Sequence, residues 1–112
     1  MDEMVLVYTT WPDAETAQAA AEAAIEARLA ACANILAPTR SIYAWKGRLE
    51  RETEIPMLLK TRAAHSQALR EMILDHHPYE TPCVIVLPIR AEGSNPEFLN
   101  WIKQQTISDQ LG

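Results

Sequence analysis

SIYAWKGRLERETEIPMLLKT, residues 41–61, is the stretch whose reading decides the fold. Ser41-Ile42-Tyr43-Ala44-Trp45 is an extended run with aromatic and β-branched side chains. Lys46-Gly47-Arg48 reverses it as a tight hairpin turn. On the return, Arg51, Thr53, Ile55, Met57 and Leu59 fall on one side and Glu50, Glu52, Glu54, Leu58 and Lys60 on the other, with Pro56 interrupting. A strand over residues 49–61 spans about 43 Å at 3.3 Å per residue, longer than most strands and longer than a short neighbour can accompany. The hairpin must therefore project past its own sheet. An isolated two-stranded hairpin is marginal in water, and this one carries Tyr43, Trp45 and Leu49 at its tip. Packing against other subunits is the expected solution.

Working outward, Val5-Leu6-Val7-Tyr8-Thr9 reads as a central strand closed by the turn signal Trp11-Pro12-Asp13. From Asp13 as N-cap, residues 14–31 are almost all helix formers, with Ala17, Ala21, Ala24, Ile25 and Leu29 marking a face able to sit close to a sheet. Residues 32–37 read as extended and Pro38 as a bend before the hairpin. After the hairpin, a second helix over residues 64–76 presents Leu69, Met72 and Ile73 and is stopped by His77-Pro78. Residues 82–89 form a fourth strand with prolines near both ends, which suits an edge. Asn95 and Pro96 open a last short helix whose apolar side chains are Phe98, Leu99, Trp101 and Ile102.

The resulting order, β-α-β-β-α-β plus a terminal helix, predicts an α+β, ferredoxin-like sandwich with two helices on one face of an antiparallel sheet. Its strand order is fourth, first, third, second. One domain over residues 1–112 is expected, with a polar, fraying tail from about residue 104.

Hydrophobic residues make up 48% of the chain and charged ones 22%, which predicts folding without help from metal or disulfide. A net charge of -5 with scattered Arg and Lys argues against a nucleic-acid partner. The acidic start Met1-Asp2-Glu3-Met4 lacks the basic flank of a signal peptide, and no apolar run is long enough to span a membrane, so the expected location is cytoplasmic. Cys32 and Cys83 form no CxxC motif. The predicted strand order puts them three spacings, roughly 14 Å, apart, so two free thiols are expected within one chain.

Several strings together resemble the CutA family of divalent-cation tolerance proteins. They are Leu29-Ala30-Ala31-Cys32-Ala33-Asn34, Tyr43-x-Trp45-x-Gly47-x-Leu49-Glu50, Leu59-Lys60-Thr61 and His76-His77-Pro78-Tyr79-Glu80-x-Pro82. The resemblance covers the whole chain in order. It implies a ferredoxin-like subunit in a tight homotrimer similar to the PII signal proteins, with hairpins reaching across subunit boundaries. It also implies a cytoplasmic role linked to copper and other divalent metals. Some members of that family have a cysteine where this chain has Thr9, a departure that removes one thiol from a copper centre.

Candidate metal ligands are His76 and His77, adjacent at a helix end, with Cys32, or alternatively Cys83, as companion if assembly brings it near, since imidazole suits copper and zinc and thiolate suits Cu(I). The alternative for His76 is a partly buried histidine closing the Leu69-Met72-Ile73 stripe. The glutamate row is either a site for a hard cation or a solvated face paired with arginines. Lys60, flanked by apolar residues, is the candidate contact for a small anionic ligand. The resemblance to PII-like trimers implies that this region lines a cleft between subunits, where Lys60, Trp45, Glu52, Tyr79 and Glu80 would form a polar pocket; the alternative is that Tyr79 packs at the interface and Glu80 pairs with a neighbouring base. No GxSxG, HExxH or P-loop motif is present, which favours a non-enzymatic protein. The alternatives are a PII-like small-molecule sensor or scaffold, or a minor acid-base enzyme using the His-His-Pro-Tyr-Glu loop.

Overall fold

The computed structural model describes residues 3–107. Their order is β1 (Met4–Trp11), α1 (Ala14–Glu26), β2 (Cys32–Ile35), β3 (Thr39–Trp45), β4 (Arg48–Arg62), a 3-10 turn (Ala63–His65), α2 (Ser66–His76), β5 (Val84–Pro88) and α3 (Pro96–Gln105). All strand pairings are antiparallel and the sheet order is β2-β4-β1-β5, with β3 paired to the other half of β4. This is the ferredoxin-like arrangement expected, with β5 at an edge.

β4 belongs to two structures at once. Its C-terminal half lies between β1 and β2, while Arg48–Glu54 pairs only with β3 and forms the projecting hairpin. The turn has two residues, Lys46 at φ 52° and Gly47 at φ 78°, the pair of positive angles that matches the right-handed twist of a hairpin. The projection leaves the molecule 50 Å along its longest axis with a radius of gyration of 15.0 Å. A compact chain of this length would have about 13 Å.

The main core lies between one sheet face and the two long helices. Val5, Val7, Trp11, Ile55, Met57 and Leu59 from the sheet meet Ala17, Ala20, Ala21 and Ala24 of α1 and Leu69 and Ile73 of α2. Asp13 caps α1, its carboxylate accepting from the Thr16 amide and hydroxyl, both at 2.7 Å. α1 is shorter than its composition suggests. Arg28 turns left-handed at φ 61°, and the amides of Arg28 and Leu29 donate to the Ile25 and Ala24 carbonyls. That pattern is a Schellman stop with arginine where glycine is usual, so no glycine announces it. Ile25, still within the helix, is 41% exposed and stands off the buried face formed by Ala17, Ala20, Ala21 and Ala24, where it was expected.

α3 packs Ile102 and Leu99 against Met4, Ala31 and Ile89. Its helix runs through Gln105, and Thr106 is fully buried, its carbonyl accepting from His65 Nε2–H at 2.7 Å. Order thus continues past residue 104, where the polar tail was expected to begin, because packing by Ile102 and Thr106 outweighs local polarity. The rest of that tail, residues 108–112, lies outside the described residues.

Candidate functional site

The strand register sorts the hairpin into two chemically different faces. On the front, Tyr43 stands opposite Glu50, Ser41 opposite Glu52 and Thr39 opposite Glu54. Residues two apart on a strand share a face, so the three glutamates form a row. The loop that follows α2 lies against this row. Thr10, Tyr43, Trp45, Glu50, Glu52, Glu54, Tyr79, Glu80, Thr81 and Cys83 line a cleft of about 560 Å³. Four carboxylates and three aromatic rings face it, and its lining holds no Lys or Arg.

The loop is fixed by His77, which is only 8% exposed. Its Nε2–H donates to the Thr10 carbonyl at 2.7 Å, and its Nδ1 accepts from the Tyr79 amide at 3.2 Å. Those partners set the neutral ring with the proton on Nε2. The ring stacks on Trp11 at 4.3 Å between centroids and packs against Tyr79 at 4.7 Å. Trp11 in turn donates from Nε1 to Thr9 Oγ1, whose hydroxyl donates to the Met57 carbonyl. Thr9 is thus a link in a buried hydrogen-bond chain.

Glu54 is the innermost acid of the cleft and is 8% exposed. Tyr79 donates its hydroxyl to Glu54, and burial together with the charge of Glu54 pushes the Tyr79 pKa up to about 12. Burial raises the Cys83 pKa, and Glu54 raises it further, against an opposing hydrogen bond with Thr10, so the thiol is protonated at neutral pH. The Tyr43 pKa is raised by desolvation first and then by Glu52, Glu54 and Glu50.

Of the residues expected in the cleft, Trp45, Glu52, Tyr79 and Glu80 line it and Lys60 does not. Lys60 lies six residues along β4 from Glu54, about 20 Å. Its Nζ donates to Asn34 Oδ1 at 2.8 Å and stands 5.5 Å from the Phe98 ring centroid. A side chain cannot cross that distance, so within one chain Lys60 does not reach the cleft beside Glu54.

The expected metal residues lie on separate elements. His76 is exposed at the end of α2 with Nδ1 bonded to the Met72 carbonyl at 3.0 Å. His77 has both ring nitrogens engaged, and Cys32 is half-buried on β2 opposite Lys60. The buried histidine is therefore His77, while His76 does not close the apolar stripe of α2. Among the described residues, no three His, Cys, Asp or Glu side chains form a group able to hold a metal ion. Both cysteines are free.

Sequence reading missed Thr10, Tyr43, Glu50, Glu54, Thr81 and Cys83 as cleft residues. The alternation carried a signal for the two glutamates, since they share the face of Glu52. None existed for Thr10, Thr81 and Cys83, because only the tertiary fold brings β1 and the loop to the hairpin.

A family model described as CutA1 divalent ion tolerance protein matches residues 5–105. The divalent-cation tolerance protein CutA of Citrobacter koseri is 44% identical over 100 residues, which cover 89% of this chain and 85% of that protein. Its counterpart in Salmonella newport is 43% identical over the same shares. Among solved structures, CutA1 from a Shewanella species aligns with a TM-score of 0.89 at 38% identity, covering 95% of this chain and 97% of that one. CutA from Archaeoglobus fulgidus, described as periplasmic, aligns with a TM-score of 0.88 at 36% identity, covering 93% and 99%. The chain belongs to the CutA1 divalent ion tolerance protein family.

Proposed function

We propose that this protein is a cytoplasmic homotrimer that binds divalent metal, copper among them, at clefts completed by neighbouring subunits, and that it catalyses no reaction. The acidic cleft carries this reading. Four carboxylates and Cys83 gather around it without a basic residue in its lining, so it attracts cations, yet the described residues of one chain supply no complete ligand group. A second subunit is the natural source of the missing donors. The names of the relatives fit a cation as ligand, and among the described residues no helix is long and apolar enough to cross a membrane. Against acid-base catalysis by the His-His-Pro-Tyr-Glu loop stands the commitment of both His77 nitrogens to the backbone.

Light scattering should give three times the 12.6 kDa chain mass. Calorimetric titration with Cu(II) and Zn(II) should show binding weakened about tenfold or more by Glu52→Gln and unchanged by His76→Ala, since removing one ligating charge costs at least 1.4 kcal/mol. A monomer mass, or affinity that follows His76 and ignores Glu52, would sink the reading.

A further inference from the structure

We draw no further inference here: the strongest candidate, the face of the β3-β4 hairpin turned away from the glutamate row, where Ile42 and Leu49 are 62% and 58% exposed beside Arg40 and Arg51, is an apolar surface patch and nothing in the structure shows what covers it.

Discussion

His77 and Tyr79 show how one buried ring places a site. The imidazole bonds the Thr10 carbonyl with one nitrogen and the Tyr79 amide with the other, and Tyr79 then reaches Glu54. Tyr79 has a measurable consequence. Its pKa is raised from 10.0 to about 12 in the folded state. A raised acid contributes stability that is full below its unfolded value and is lost as pH climbs through the folded one. Unfolding midpoints should therefore fall between about pH 10 and 12, and Tyr79→Phe should flatten that fall. A spectrophotometric titration finding all three tyrosines ionising near pH 10 would contradict the assignment.

α1 and the β3-β4 hairpin are the two elements on which the architecture turns, and they use opposite means. α1 lies close to the sheet because Ala17, Ala20, Ala21 and Ala24 are all at most 5% exposed, so small side chains set the distance. Ala20→Leu should cost about 1–3 kcal/mol in urea denaturation, as overpacking pushes the helix off Met57 and Leu59. A neutral result would mean the interface is looser than its burial indicates. The hairpin draws stability from ladder hydrogen bonds and a matched turn, with little of its surface buried. Its period-2 pattern was legible in sequence, including the single face of the glutamates. Its neighbours were not, because a strand's own pattern does not say which loop will pack over it.

The molecule as a whole has one covered sheet face and one largely uncovered. Leu6, Tyr8 and Leu58 are half-buried on the second face, where Ile85 and Leu87 are 52% and 44% exposed. An apolar sheet face of this kind marks an interaction surface. If the proposed trimer forms there, Ile85→Lys should reduce the light-scattering mass to that of one 12.6 kDa chain, since a charge buried in such an interface is uncompensated. A mass unaffected by the substitution would place the contact elsewhere.

Sequence by itself determined the element order, the sheet topology, the single face of the glutamates and the family. The element order and the glutamate face follow from local periodicity and turn chemistry, which act within a few residues; the sheet topology follows from the ferredoxin-like plan of that order, and the family from the resemblance of whole strings. The stop of α1 at Arg28 escaped it, since an arginine in a left-handed cap leaves no compositional mark. Only the tertiary structure decided that His77 is the buried member of the histidine pair, that Lys60 lies about 20 Å from the innermost glutamate, and that Thr10 and Cys83 join the cleft. Each depends on where distant segments meet. The long β4 decides that geometry by carrying one end of the chain's surface away from the other.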